Sequence, residues 1–273
     1  MPKIIYGTAW KKDRTADLVE LAIAKGFRGI DTACQPKHYN EPLVGVGIKR
    51  ALAKGLRREQ LFIQTKYTPI SGQDINNVPY NQNASLTEQV EQSIAASKEN
   101  LGVDYIDSLV LHSPMSAHAD SMEVWKAFEV GVKNGDLLQI GISNCYDAQV
   151  FSDLYKDAEV KPAVLQNRFY QDTNFDLKLR EFCLANNVRY QSFWTLSANP
   201  KILQHEILQS IAKNKRKTAP QVLFCYLTSL GIAPLTGTTS EKHMNEDLDI
   251  FNFQLSSDEC SKINTLGPFT KRT

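Results

Sequence analysis

The sequence predicts a single-domain α/β fold, a (β/α)8 barrel that takes in residues 1–273. Short runs rich in apolar and β-branched residues alternate with segments of helical apolar spacing, and this alternation is typical of a parallel sheet. There are eight such runs, the number that closes a barrel. The 273 residues also fit one barrel, which typically needs roughly 250. An open doubly wound sheet is the alternative, although no G-x-G-x-x-G follows the first run.

The predicted strands are short apolar runs, and several of them end at a polar side chain. The first is Ile4–Tyr6, and the second, Gly29–Asp31, ends in a carboxylate. The other six are predicted over Leu61–Lys66, Tyr105–His112, Leu137–Ser143, Ala163–Asn167, Arg189–Phe193 and Ile232–Thr236. A long polar loop, Gly72–Ala84, follows the third strand on the face where barrel active sites form.

The predicted helices repeat apolar residues every three or four positions, as Leu18 and Ala22 do in the first one. Gly102 is a typical stop signal, and Ser256 is a typical N-cap. Helices are predicted over Thr15–Lys25, Pro42–Lys54, Ser85–Leu101, Ser121–Asn134, Asp147–Asp157, Phe175–Asn186, Ile207–Asn214, Pro220–Leu230, Glu241–Phe251 and Ser256–Leu266.

Composition narrows the classes of partner. A formal net charge of +1 argues against nucleic acid, and no apolar run approaches the roughly 20 residues of a membrane span. The N-terminus carries no apolar stretch typical of a signal peptide. The five cysteines are scattered without C-x-x-C, and the five histidines lack ligand spacing. We therefore expect a cytoplasmic protein with reduced thiols and no metal site.

Polar side chains lie where the predicted strands end. Parallel strands all finish on one face of a barrel, so these side chains should converge there. An aspartate–lysine pair or a single tyrosine is more often structural, and the inference therefore depends on the combination. The candidates are Asp31, Tyr39, Lys66, His112, Ser143, Asn144, Gln166 and Asn167.

These residue types suit proton transfer to a carbonyl oxygen. Tyrosine has an ordinary pKa of about 10, and the Lys66 ammonium would lower the pKa of Tyr39 by favouring the phenolate. Asp31 would keep Lys66 charged and oriented. His112 could polarise a substrate carbonyl, and Tyr39 would donate the proton as general acid. No side chain supplies hydride, so a cofactor must.

Several motifs resemble those of the aldo-keto reductase family over nearly the full length, in the form of a short microbial or fungal member. Each motif alone is weak, but their order and spacing together are specific. They are GTAW at Gly7–Trp10, GFRGIDTA at Gly26–Ala33, HYNE at His38–Glu41, Thr65–Lys66, DYIDSLVLHSP at Asp104–Pro114, GISN at Gly141–Asn144, PAVLQN at Pro162–Asn167 and PLTGTTS at Pro234–Ser240.

The resemblance implies NAD(P)H-dependent reduction of small aldehydes or ketones by a monomeric enzyme. The implied catalytic residues are Asp31, Tyr39, Lys66 and His112. Trp10 and Trp194 would border the substrate pocket. The implied cofactor-binding residues are Gly7, Thr8, Ala9, Ser143, Asn144, Gln166, Phe193, Trp194, Thr236, Gly237, Thr238, Thr239, Ser240, His243, Glu246 and Asp247.

Three departures from the family pattern bear on these roles. Alignment on Asn-Glu would put His38 in the tyrosine slot; we favour Tyr39, because histidine does not easily replace a phenol. Either Phe193 or Trp194 could stack on the nicotinamide, and the register favours Phe193. Gly237 and His243 stand where relatives commonly carry cations for the NADP 2′-phosphate. We therefore expect NADPH preference with reduced discrimination against NADH.

Two other function classes stay open. One is a barrel that binds nicotinamide nucleotide as a regulatory subunit, with little turnover. The other is an isomerase or hydrolase that uses Asp31 and His112 without a cofactor. A complete set of proton-transfer residues favours the reductase, because a pure binding protein needs no acid.

Overall fold

Eight parallel strands close into a barrel in chain order in the computed structural model, and the last strand pairs with the first. The structure describes residues 1–270. The strands are β1 (Ile5–Gly7), β2 (Gly29–Asp31), β3 (Phe62–Tyr67), β4 (Ser108–Leu111), β5 (Ile140–Ser143), β6 (Val164–Arg168), β7 (Arg189–Phe193) and β8 (Ala233–Thr236). The (β/α)8 prediction is confirmed, and the open sheet is wrong.

Helices surround the barrel and connect its strands. They are α1 (Thr15–Lys25), α2 (Glu41–Ala53), α3 (Leu86–Leu101), α4 (His118–Lys133), α5 (Ala148–Asp157), α6 (Leu177–Ala185), α7 (Pro200–Gln204), α8 (Glu206–Lys215), α9 (Ala219–Ser229), α10 (Glu241–Leu248) and α11 (Ser257–Asn264). Within residues 1–270, none of these helices combines the length and apolar character that a membrane span requires.

Local sequence signals account for many of the helix ends. Ser85 and Glu88 form a reciprocal capping box at the start of α3, and Ser256 begins α11 in the same way. Gly26 and Gly102 end α1 and α3 with positive φ angles of 119° and 65°, a conformation that glycine adopts without steric cost.

The structure shortens several predicted elements, among them Leu137–Ser143, which is a strand only from Ile140. Two other cases have an identifiable reason. The predicted strand Tyr105–His112 is regular only from Ser108, because the Asp107 carboxylate accepts the Ile63 backbone N–H at 3.0 Å and replaces a ladder bond. The predicted helix Phe175–Asn186 begins at Leu177. Phe175 and Asp176 have left-handed φ angles of 52° and 53°, which a right-handed helix excludes.

Helix α7 was not predicted, although Pro200 occupies its first turn, where proline is favoured. It is only five residues long, too short for its apolar spacing to stand out in the sequence. The predicted helix Glu241–Phe251 is α10 followed by a 3-10 turn over Asp249–Phe251.

The apolar core lies between the barrel and its helices. Trp125 and Phe128 of α4 are fully buried on one side, and Val19 of α1 is fully buried on the other. Inside the barrel, polar residues replace part of the usual branched aliphatic filling. Gln64 and Gln191 are fully buried there and hydrogen-bond to each other.

Glycine permits a close approach between α2 and α3. A Cβ atom at Gly45 would overlap the backbone oxygen of Asn100 and lie 3.0 Å from the Cα of Leu101. The obstacle is backbone, so no side-chain rotation can relieve the overlap. Gly45 has a helical conformation, and alanine would otherwise favour the helix by about 1 kcal/mol.

We therefore predict that Gly45→Ala lowers the free energy of unfolding by about 2 kcal/mol, because overpacking outweighs helix propensity. Urea denaturation followed by circular dichroism measures the change. Lys49→Ala, an exposed position on the same helix, is the matched control and should lie within about 0.5 kcal/mol of the unsubstituted protein. A stabilised Gly45→Ala variant would contradict the packing argument.

Candidate active site

A cavity of about 710 Å³ opens at the carboxyl ends of the barrel strands. Most residues predicted to form the site line this one cavity, although they come from widely separated parts of the chain. They are Gly7, Ala9, Trp10, Asp31, Tyr39, His112, Ser143, Asn144, Gln166, Phe193, Trp194, Thr236, Gly237 and Thr238.

The remaining predicted residues lie beneath the cavity or beyond its rim. Lys66 and Thr8 are buried below it, and the Thr8 hydroxyl donates to the backbone oxygen of Asp31 at 2.9 Å. Asp247 is also buried and accepts a hydrogen bond from Thr236 at 2.7 Å. Thr239 and the N-cap Ser240 lie just before α10, and His243 and Glu246 lie within it.

Asp31 and Lys66 form a buried ion pair under the cavity floor. Their Oδ2 and Nζ atoms are 2.6 Å apart, and the Lys66 ammonium also donates to the Thr32 backbone oxygen at 2.8 Å. The other Asp31 oxygen accepts from the amides of Gln64 and Gln166 at 2.8 and 3.0 Å. Burial lowers the pKa of Lys66, and the adjacent Asp31 carboxylate opposes that effect.

Tyr39 lies next to this pair. The Lys66 Nζ is 5.4 Å from the centre of the Tyr39 ring, and the rings of Tyr39 and His112 meet edge-on at 6.0 Å. Burial, followed by the charge of Asp31, raises the pKa of Tyr39. We expected Lys66 to lower this pKa. The net direction is opposite, because Asp31 compensates the lysine charge while burial disfavours the phenolate.

A turn over residues 36–38 precedes Tyr39 and directs the rings of His38 and Tyr39 to different neighbours. The backbone N–H groups of both residues donate to the Gln35 backbone oxygen. The His38 ring stacks on Trp10 at 3.9 Å, and Tyr39 lies near Lys66. The Tyr39 ring, and not the His38 ring, thus lies beside the ion pair.

The two residues after Tyr39 anchor the chain to the helix and strand next to it. The Asn40 side chain caps α2 by accepting the Leu43 N–H at 3.1 Å. The Glu41 side chain is buried and accepts hydrogen bonds from Thr65 and from Ser97, the latter at 3.0 Å. Glu41 thus ties α2 to β3, the strand that carries Lys66.

His112 is held at three points. Its backbone N–H donates to Tyr67 at 2.9 Å, and its backbone oxygen accepts from the Asn144 amide at 2.8 Å. Its Nδ1 atom lies 2.7 Å from the Thr68 hydroxyl oxygen. Burial lowers the pKa of His112 to about 3, helped by the positive charges of Lys66 and His38. The imidazole is therefore neutral near pH 7.

Ser143, Asn144 and Gln166 line the cavity side by side. Their donors are engaged within the protein: the Ser143 hydroxyl binds the Gln166 backbone oxygen at 2.7 Å, and the Gln166 amide binds Asp31 and Gln191. The oxygens of the Asn144 and Gln166 side chains are thus better suited than the nitrogens to bind a ligand, as acceptors.

Of the two candidate stacking aromatics, Phe193 ends β7 and Trp194 follows it. Both line the cavity. Trp194 has a left-handed φ of 54°, is half exposed, and stacks against the Arg168 guanidinium at 4.2 Å. Trp194 therefore lies at the rim, and Phe193 is the ring carried directly by a barrel strand.

Lys11 lines the same cavity and was missed in the sequence. Its ammonium donates to the Gly237 backbone oxygen, and a Cβ atom at Gly237 would lie 3.3 Å from it. Burial and the nearby Arg14 lower the pKa of Lys11. The KKDR segment in the loop after β1 was the available signal, since such a loop lies at the barrel face that holds the cavity.

Comparison with known proteins gives consistent results. Residues 3–267 match the model of the Aldo/keto reductase family. A glyoxal reductase of Bacillus subtilis is 31% identical over 255 residues, which are 93% of this chain and 84% of that protein.

Solved structures agree in fold. An aldo-keto reductase from a Medee basin deep-sea metagenome library, MGS-M4, has a TM-score of 0.83 at 26% identity, covering 100% of this chain and 94% of that one. A silkworm (Bombyx mori) aldo-keto reductase, AKR2E5, was solved in complex with NADPH. It has a TM-score of 0.81 at 26% identity, and the match covers 99% of this chain and 86% of that one.

These similarities extend along nearly the whole chain, so they do not reflect a shared barrel alone. The sequence and the fold support the same assignment. The chain belongs to the aldo/keto reductase family of oxidoreductases.

Proposed function

We propose that this protein reduces small aldehydes or ketones to alcohols with hydride from NADPH, and that Tyr39 donates the proton. One observation carries the proposal: Tyr39 and His112 meet at the floor of one cavity, directly above the Asp31–Lys66 ion pair. A carbonyl oxygen gains negative charge when its carbon accepts hydride. The neutral His112 could donate a hydrogen bond to that oxygen, and Tyr39 could donate a proton to it.

The residues of the cavity fit a nicotinamide nucleotide. The Phe193 ring would stack on the nicotinamide, and the side-chain oxygens of Asn144 and Gln166 would accept its carboxamide N–H groups. Lys11 is a half-buried cation that forms no ion pair with residues 1–270, so it is available to a phosphate. The N-terminus of α10, which follows Gly237 by four residues, would provide further N–H donors. When bound, the cofactor would supply the hydride.

The protein's own residues would handle the proton and the developing charge. As the carbonyl carbon gains hydride, its oxygen would accept a hydrogen bond from neutral His112 and the proton of Tyr39. The raised pKa keeps Tyr39 protonated beforehand. The phenolate left behind would face the Lys66 ammonium and be reprotonated from solvent.

We further propose that NADPH is preferred but that discrimination against NADH is reduced. Gly237 brings no charge, and His243 is exposed and lies 3.5 Å from the Thr238 hydroxyl. Neither residue offers the permanent charge-assisted contact that a lysine or arginine gives a 2′-phosphate.

Tyr39→Phe should abolish carbonyl reduction, because loss of a general acid costs on the order of 10² to 10⁴ in rate. The measurement is the loss of NADPH absorbance with an aromatic aldehyde. Cofactor affinity, followed by quenching of tryptophan fluorescence, should stay within about twofold. Tyr155→Phe, on the outer helix α5, is the matched control and should retain full turnover.

Two outcomes would argue against this assignment. Full activity in Tyr39→Phe together with loss in His38→Gln would move the acid to His38. Tight NADPH binding without turnover of any aldehyde or ketone by the unsubstituted protein would favour the regulatory-subunit class.

The reduction rate should be nearly constant between pH 5.5 and about 9. His112, with a pKa of about 3, is neutral throughout this range, and Tyr39, whose pKa is raised, keeps its proton. The test is kcat as a function of pH, corrected for acid decay of NADPH. A rate that changes tenfold around pH 6.5 would show that an unshifted histidine controls the reaction.

Lys11→Met should weaken NADPH binding about tenfold, since a hydrogen bond to a charged group contributes about 1.5–3 kcal/mol. The dissociation constant from fluorescence titration tests this. Lys12→Met, at the exposed neighbouring position, is the matched control and should change affinity less than about twofold. Equal effects of both substitutions would indicate only a general attraction between basic residues and phosphate.

A further inference from the structure

Thr68 follows β3 directly and contacts His112 from the side away from the cavity. Its side chain is 2% exposed, and its hydroxyl oxygen lies 2.7 Å from the His112 Nδ1 atom. The cavity-lining residues include His112 but not Thr68. Thr68 thus occupies one ring nitrogen of His112 and leaves Nε2 as the nitrogen available to a ligand in the cavity.

The Thr68 side chain has little freedom to turn away from His112. Its backbone oxygen accepts from the Tyr80 hydroxyl at 2.7 Å and from the Gln73 amide at 3.3 Å. Its methyl group packs against Gly72, where an added Cβ atom would lie only 2.8 Å from it. With the methyl group held against Gly72, the hydroxyl is directed to the imidazole.

The direction of this hydrogen bond follows from its surroundings. A neutral imidazole carries one N–H, on either Nδ1 or Nε2. Within residues 1–270, the Thr68 hydroxyl has no hydrogen-bond partner other than His112. If Nδ1 carried the hydrogen, the hydroxyl hydrogen would be buried without an acceptor, which is costly. The hydroxyl therefore donates to Nδ1.

We propose that Thr68 is a positioning residue that fixes His112 as the tautomer with its hydrogen on Nε2. Only this tautomer presents an N–H to a carbonyl oxygen in the cavity. The effect on rate rests on the proposed reduction. The tautomer itself does not, because it is a property of the protein without substrate.

Thr68→Val tests the proposal, because valine has nearly the shape of threonine and lacks the hydroxyl. In the unsubstituted protein labelled with ¹⁵N-histidine, we expect the His112 Nε2 signal to be that of a protonated nitrogen and Nδ1 to be that of an acceptor. The His112→Gln variant assigns the signals. In Thr68→Val the two nitrogens should shift toward each other as the tautomers mix.

The same substitution should lower kcat about tenfold and change KM less, because the hydrogen bond strengthens as charge develops on the oxygen. Thr68→Ser keeps the hydroxyl and should restore both the NMR signature and most of kcat. Thr228→Val, on the outer helix α9, is the matched control for loss of a threonine hydroxyl. Circular dichroism verifies that each variant is folded.

Three results would overturn the inference: a hydrogen on Nδ1 in the unsubstituted protein, an unchanged ¹⁵N signature in Thr68→Val, or a Thr68→Ser variant as impaired as Thr68→Val. These results are distinct from failure of the proposed function. If Thr68→Val keeps full turnover while Tyr39→Phe loses it, the reductase stands and the role of Thr68 falls. If no carbonyl is reduced, the tautomer signals still decide the positioning role.

Discussion

A buried ion pair between Asp31 and Lys66 organises the mouth of the barrel. Each partner is almost fully inaccessible to water, and two amides complete the coordination of the carboxylate. Removing either partner would leave an uncompensated buried charge, which typically costs roughly 3–5 kcal/mol. The pair is therefore stable only as a complete network, and the Tyr39 ring lies directly beside its ammonium group.

The register of the parallel strands explains how the network forms. Asp31 of β2 lies opposite Gln64 of β3, and Lys66 is two residues further along β3. Side chains two residues apart point to the same face of a strand. The Gln64 amide and the Lys66 ammonium therefore both reach the Asp31 carboxylate. A shift of one residue between β2 and β3 would direct both side chains to the opposite face.

Burial has a consistent effect on the groups around this pair. It keeps His112 neutral and Tyr39 protonated, because the charged form of each loses the stabilisation that water would provide. The cavity floor therefore carries two neutral hydrogen-bond donors, Tyr39 and His112. They lie above an ion pair whose two charges cancel. An oxygen that gains negative charge would find donors there without a prior proton transfer. The Thr68 hydroxyl is part of the same arrangement. Its hydrogen bond to Nδ1 determines which nitrogen of His112 can donate to the cavity.

The sequence by itself determined the fold class and most of the cavity. Strand and helix periodicity gave the barrel, and polar residues at strand ends marked Asp31, Lys66 and His112, because parallel strands must finish on one face. It also included Tyr39, which lines the cavity, among the candidate residues. These inferences depend on local patterns and on one general rule of barrel geometry.

Only the tertiary structure decided the features that depend on contacts between distant segments. The approach of Lys11 to Gly237 spans more than 200 residues of sequence, and Thr68 meets His112 across 44. The direction of the Tyr39 pKa shift was also beyond the sequence, because it depends on how deeply the ring is buried and on whether Asp31 compensates Lys66. Local periodicity carries no information on burial depth or on pairwise distance, which is why these features required the folded chain.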